Sequence, residues 1–247
     1  MKKNFNSKNF VGKVNVTNSL LKSLVFIQKN YSPDKQKKHL SNLKNFKKFI
    51  NNCERKLKNS NKKVIIVSFN SNNKYKINHV LMKNITEIAS SFLGDLVAQN
   101  KEGKKNVVVY DRGRNLSINK GARYHQTREG GSIHTDNVNV SSRWKYMILS
   151  CLAEGQVGGE TILVSAKNVY EKLKKNFKQA NKILQKKFIW EKRGVAKSFY
   201  TAPILKINEN GEPEFRYLRP YLESAHIKKK KPLSDKQLYA LDVLDAL

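Results

Sequence analysis

Apolar residues recur at helical spacing twice in the first hundred positions. Leu40, Leu43, Phe46, Ile50, Cys53 and Leu57 mark one face of an amphipathic helix whose outer face is covered by lysine. Leu81, Ile85, Ile88 and Phe92 stand at i, i+4, i+7 and i+11, a second helix closed by Gly94. Between them, Val64 to Phe69 is a β-branched run bounded by Lys63 and by Asn70-Ser71-Asn72-Asn73, the pattern of a strand that ends in a turn. Val107 to Tyr110 reads as another strand.

Beyond Asp111 the pattern changes. Eight of the nine arginines lie there, and glycines become frequent. Trp144 to Leu152 reads as a buried strand with Cys151 as a core thiol. Thr161 to Val164 reads as the next strand, reached through Gly155, Gly158 and Gly159. Val169, Leu173, Phe177, Ala180 and Leu184 keep helical spacing. Phe199 to Ile207 is a strand turning at Asn210-Gly211, with Glu214 to Leu218 returning as its hairpin partner. Ser234 and Gln237 form a capping-box start for a helix whose apolar face runs through Leu238, Leu241, Leu244 and Leu247. That stripe is still running at the last residue, so the expectation is a helix cut in mid-face. Short strands with Gly/Asn turns, and helices gathered towards the N-terminus, predict an α+β protein. Its core is expected to be a jelly roll with flanking helices, incomplete at the C-terminus. The 247 residues fit a single domain, 1–105 as helical flank with the first strands and 106–247 as the sheet core.

Composition narrows the classes. No run of 18 apolar residues exists to cross a bilayer. The basic N-terminus, Met1-Lys2-Lys3-Asn4-Phe5, has no apolar segment behind it to make a secretory signal. Two cysteines give no disulfide framework and no Cys-x-x-Cys pair, so a cytoplasmic setting is expected. The formal net charge of +30 attracts polyanions. The lysines are nevertheless scattered, with one dense block at Lys228 to Lys231, and no zinc-finger spacing or RNP-type strand accompanies them. Nucleic acid is therefore not the expected partner. Oligomeric state has no signature in the chain.

The residues able to carry chemistry centre on His134-Thr135-Asp136. In an extended segment residues i and i+2 project to the same side, so an imidazole and a carboxylate can reach one metal while Thr135 points away. With a distant second His, such a pair makes the facial triad of non-haem iron oxygenases. Alone, His-x-Asp is a weak signal. Upstream, the polar stretch Tyr124-His125-Gln126-Thr127-Arg128-Glu129-Gly130-Gly131-Ser132-Ile133 suits a site entrance. Downstream, Gly158-Gly159-Glu160-Thr161 follows the apolar run and matches no phosphate loop.

The order of His134-x-Asp136, the apolar run Leu149 to Leu152, and Gly-Gly-Glu-Thr-Ile-Leu-Val-Ser at 158–165 resembles the TauD/TfdA family of taurine-dioxygenase-like enzymes. Phe215-Arg216-Tyr217-Leu218-Arg219-Pro220-Tyr221 and the helix Ala240 to Asp245 are similar to its clavaminate-synthase-like members. The resemblance covers residues 105–247. It implies a double-stranded β-helix holding Fe(II), with 2-oxoglutarate as co-substrate. The reaction it implies is oxidative decarboxylation of 2-oxoglutarate to succinate, coupled to hydroxylation of a small molecule such as an amino acid or organic acid. On this resemblance His134 and Asp136 correspond to the first two iron ligands and Thr161 to the threonine that bonds the 2-oxoglutarate carboxylate. The family also needs a distal His and, soon after it, an Arg for the far carboxylate. The downstream candidate is His226, in what reads as a polar loop with no following arginine. The expectation is instead that both residues lie beyond Leu247, and that a chain ending there turns over poorly. His125, Gln126, Arg128 and Asn137 flank the ligands and are candidates to face substrate. Arg219, expected to alternate with Arg216 across a strand, is a candidate for an anionic substrate group. Two other classes compete: a truncated or non-catalytic jelly-roll scaffold, and a basic polyanion-binding protein.

Overall fold

The computed structural model describes residues 11–30, 43–59, 63–69, 77–98, 102–110, 131–141 and 144–247. They fall into two compact units, Met1–Leu96 with Tyr146–Gly159, and Val97–Lys145 with Glu160–Leu247.

In the first unit, β1 (Val11–Val16) and β2 (Val64–Phe69) pair in parallel, with Val11 opposite Val64 and Val16 opposite Phe69. A parallel pair needs a long crossover, and α1 (Asn18–Asn30) and α2 (Lys44–Asn59) lie within it. The expected stripe on α2 is present, with Leu43, Phe46, Ile50 and Cys53 buried; Leu40 lies outside the described residues, as does the Asn70–Asn73 turn. Helix α3 (His79–Leu93) starts at Asn78, whose side chain accepts from the Leu81 amide at 2.8 Å, and it buries Leu81, Ile85, Ile88 and Ala89. These stripes meet Val16, Leu20, Leu21 and Leu24 in one core. The apolar run after Trp144 departs from expectation. Residues 146–152 form no ladder, Leu149 is 67% exposed, and Cys151 is an exposed free thiol. Side-chain bonds tether the segment instead, Tyr146 to Glu54 at 3.0 Å and Ser150 to Thr86 at 2.6 Å.

The second unit runs α4 (Ala166–Asn176), α5 (Lys178–Leu184), β3 (Lys187–Glu191), β4 (Phe199–Pro203), β5 (Leu205–Ile207), β6 (Pro213–Phe215), α6 (Arg219–Lys228) and α7 (Asp235–Ala246). The single apolar stripe expected over 169–184 belongs to two helices, which break at Phe177. β3 and β4 pair antiparallel, and so do β5 and β6. The hairpin turn between β5 and β6 closes on Asn208, whose side-chain oxygen accepts from the amides of Asn210 and Glu212. Helix α7 has the expected capping box between Ser234 and Gln237. Its Ala240 and Leu241 join Leu173, Leu184, Phe188, Trp190, Ile204, Leu205 and Leu222 in a second core.

The architecture is α+β. Among the described residues the ladders form three two-stranded sheets and do not assemble a double-stranded β-helix. Val107–Tyr110 and Thr161–Val164, both expected as strands, have no ladder and are largely exposed. A β-branched run specifies a strand only where a neighbouring edge takes up its backbone groups. No helix among the described residues is long and apolar enough to cross a membrane.

Leu241 is fully buried, whereas Tyr239 on the same helix is 43% exposed. Leu241→Ala should cost about 2–5 kcal/mol, and Tyr239→Ala should stay within about 0.5 kcal/mol of the parent. Urea denaturation followed by far-UV circular dichroism measures both.

Candidate functional site

The segment 131–135 runs without a ladder and passes at Asp136 into a turn over 136–139. Asn137 occupies the left-handed region, with φ of 58°, which asparagine tolerates better than most residues. Thr135 faces away from its neighbours, as the alternation requires. Its amide donates to the Tyr217 carbonyl at 2.7 Å, and its hydroxyl accepts from the Tyr217 amide at 2.9 Å. Two bonds thus clamp the segment to the continuation of β6. On the other side His134 Nε2 lies 3.7 Å from Asp136 Oδ1.

The imidazole is oriented by its second nitrogen. His134 Nδ1 lies 2.6 Å from the Ser132 carbonyl, a bond that only Nδ1–H can make. The neutral ring therefore carries its lone pair on Nε2, facing the carboxylate. The Asp136 side chain, and next the Ser132 carbonyl, hold the His134 pKa above its ordinary value, while burial pulls against them. A Cβ at Gly131 would come within 3.1 Å of the ring, so glycine there leaves the imidazole its room. A nitrogen and a carboxylate oxygen converging from a backbone-anchored His suit a divalent first-row metal such as iron.

The turn is held from below. Arg216 is buried, and its Nη1 donates to the Val140 carbonyl at 2.5 Å and its Nη2 to that of Ser141 at 3.0 Å. The same Nη1 reaches the Tyr200 hydroxyl at 2.5 Å, and that hydroxyl donates to the Val138 carbonyl at 2.5 Å. Buried Asn139 donates to the Arg193 carbonyl at 2.8 Å, and Val138 inserts into the core. The sequence reading left Tyr200 and Asn139 aside and placed Arg216 on a strand face. The available signal was an arginine between Phe215 and Tyr217, where one side of the strand had to be buried.

The remaining candidates are distributed as follows. Thr161 is exposed, and no hydrogen bond among the described residues links it to His134 or Asp136. Asn137 is half-buried, with an amide nitrogen that is shielded from solvent and has no partner among the described residues. His125, Gln126 and Arg128 lie outside the described residues. His226 sits in helix α6 rather than in a loop, buried against Phe188. Its Nε2 accepts from the Ile189 amide at 3.0 Å and its Nδ1 donates to the Lys231 carbonyl at 2.8 Å. Both nitrogens are committed to the backbone, which leaves no lone pair for a metal. Arg219 is likewise the first residue of α6 and not a strand residue. It already meets three carboxylates, Glu223 at 2.7 Å, Asp242 at 2.8 Å and Asp245 at 2.7 Å. An anionic substrate would have to compete with all three. Among the described residues no group of three His, Cys, Asp or Glu side chains could hold a metal ion.

The family model described as "Taurine catabolism dioxygenase TauD, TfdA family" matches residues 86–244, more than half of the chain. The chain belongs to the TauD/TfdA family. The match spans His134, Asp136 and Thr161 together with the turn supports Tyr200 and Arg216. Members of this family are generally dioxygenases that use Fe(II) and 2-oxoglutarate on small molecules. Comparison with curated proteins gives no match.

Thr135→Val keeps the shape of the His134–Asp136 segment but leaves the buried Tyr217 amide without its acceptor. The expected loss is about 1–3 kcal/mol of stability, read by chemical denaturation of the metal-free protein.

Proposed function

We propose that this chain is an Fe(II)- and 2-oxoglutarate-dependent hydroxylase of a small molecule, with His134 and Asp136 as two protein ligands to the iron. The observation that carries the reading is the pair itself. Nε2 and Oδ1 sit 3.7 Å apart on one side of the segment, and the imidazole tautomer is fixed by the Ser132 carbonyl. A surface His–Asp contact needs no such anchoring, whereas a metal ligand gains basicity and orientation from it.

In this reading Thr161 bonds the 2-oxoglutarate carboxylate. The third ligand and the arginine for the far carboxylate come from outside the described residues. The antiparallel β3–β4 and β5–β6 ladders would belong to a double-stranded β-helix of the family type, the core expected over 106–247. When bound, the iron supplies the redox chemistry by which dioxygen decarboxylates 2-oxoglutarate and oxidises a substrate C–H bond, leaving succinate, carbon dioxide and the alcohol. The chain's own residues orient and exclude. Thr135 fixes which way the ligand pair faces, Gly131 leaves the ring space, and the Asn137 amide offers an unused donor beside Asp136. A cytoplasmic setting accords with two cysteines that are both free.

Anaerobic titration of the full-length protein with Fe(II) and 2-oxoglutarate should give the visible charge-transfer band of a chelated 2-oxo acid. Aerobic incubation should then release succinate. His134→Ala and Asp136→Ala should each lower succinate release by more than the roughly 10–100-fold typical of lost outer partners. No band in the parent protein, or unchanged succinate release in both variants, would refute the assignment. Nucleic-acid binding that is steeply salt-dependent and indifferent to both substitutions would favour a polyanion-binding protein instead.

A further inference from the structure

We infer that Arg216 is a positioning residue for the metal ligands, setting the geometry of His134 and Asp136 through the backbone of the turn that follows them. The inference rests on the assignment of that pair as iron ligands. Arg216 lies 80 residues downstream of Asp136, is 5% exposed and touches neither ligand side chain. Its guanidinium collects the carbonyls of Val140 and Ser141, stands 3.5 Å from that of Asn137, and reaches Val138 through the Tyr200 hydroxyl. Of the five residues 137–141, all but Asn139 are thus oriented by one planar group, directly or through the Tyr200 hydroxyl, and Asn139 is tied separately to the Arg193 carbonyl.

The geometry selects arginine. Carbonyls at several azimuths around one plane match a fork of fixed N–H directions, which an ammonium on a flexible stem does not reproduce. The backbone places the fork as well. The Arg216 amide donates to the Ile204 carbonyl at 2.7 Å, and Tyr217 next to it holds Thr135. Adjacent residues just after β6 therefore grip the ligand segment on both sides of Asp136. Tyr217 fixes the facing of the pair, and Arg216 fixes the exit of the chain. If the exit swings, the Asp136 carboxylate moves relative to Nε2, and a two-point metal site loses convergence before the fold loses its core.

The test uses Co(II) alone as an optical probe on the full-length chain, beside amide hydrogen exchange of the metal-free protein. Arg216→Lys keeps the charge and removes the fork. It should weaken Co(II) binding by about 10-fold or more, within the range known for outer partners. It should also accelerate exchange at Val140, whose amide bonds the Asn137 carbonyl within the turn. Tyr200→Phe removes the phenol's bonds to Val138, Val140 and the guanidinium but keeps the direct Arg216 bonds to Val140 and Ser141, and should give a smaller shift of the same sign; it also serves if Arg216→Lys does not fold. Leu241→Ala loosens the same core away from the turn and should leave Co(II) affinity at the parent value. Equal weakening in Leu241→Ala and Arg216→Lys would reduce Arg216 to general stability and overturn the inference. Unchanged Co(II) binding in Arg216→Lys would overturn it too. A parent chain that binds no Co(II) sinks the ligand assignment, and is told apart by the exchange at Val140, which reports on the turn without metal.

Discussion

The pair of hydrogen bonds between Thr135 and Tyr217 is the constraint from which the site follows. A side chain can hold a metal only if its backbone is fixed, yet residues 131–135 have no ladder to fix them. Rigidity is therefore borrowed. Tyr217 continues a strand whose neighbours Ile204, Leu205 and Leu218 are buried, and its amide and carbonyl both engage Thr135. Because side chains alternate in extended chain, anchoring residue 135 inward commits 134 and 136 outward together. One register choice thus decides whether the two candidate ligands converge.

Two arginines three positions apart show how differently a cation can be accommodated. Arg219 is partly exposed and meets three carboxylates, joining α6 to the C-terminal turn of α7 alongside the Tyr217–Asp245 bond. That network raises the Arg219 pKa through its carboxylate bonds, against the opposing effect of burial. Arg216 is buried, and its described partners are backbone carbonyls and one phenol. Carbonyl dipoles compensate a buried charge only in a fixed arrangement, so the guanidinium and the turn order each other. The first arginine stabilises helix packing. The second shapes a loop.

Much of this was legible in the chain, and the losses have physical causes. The stripes of α2 and α3, strand β2, the Asn-Gly hairpin and the capping box at Ser234 are local signals, and local signals survive without tertiary context. The His-x-Asp pairing also needs only alternation over three residues. What failed was any reading that depended on a partner far along the chain. Residues 146–152 and 161–164 have strand-like composition, but an apolar run does not say whether a neighbouring edge is there to receive it. Gly158 and Gly159 both take positive φ, 78° and 88°, a backbone that suits glycine, but the strands they were to join have no ladder. His226 was misplaced because its role comes from Ile189 and Lys231, which no spacing rule connects. Strand β1 and helix α1 were overlooked; in β1 the valines at 11, 14 and 16 are broken by Gly12, Lys13 and Asn15, and its partner shows only in the parallel register with β2.

The charge of the chain bears on the site in a way that composition alone could not settle. A net charge of +30 favours the approach of dicarboxylates such as 2-oxoglutarate and opposes that of a divalent cation. At physiological ionic strength, fields fade over about 8 Å, so the nearest charges dominate. The stretch 131–141 contains no lysine or arginine, and its one formal charge is the Asp136 carboxylate. The candidate ligand pair thus sits on a stretch whose one formal charge is acidic, in a basic protein, and Arg216 is turned under the turn towards its carbonyls. Distant lysines can then draw in an anionic co-substrate over long range while contributing little repulsion at the ligand atoms. Under that separation, metal affinity depends on how well Nε2 and the carboxylate are pre-aligned, and the alignment returns to the backbone contacts of Thr135 and Arg216.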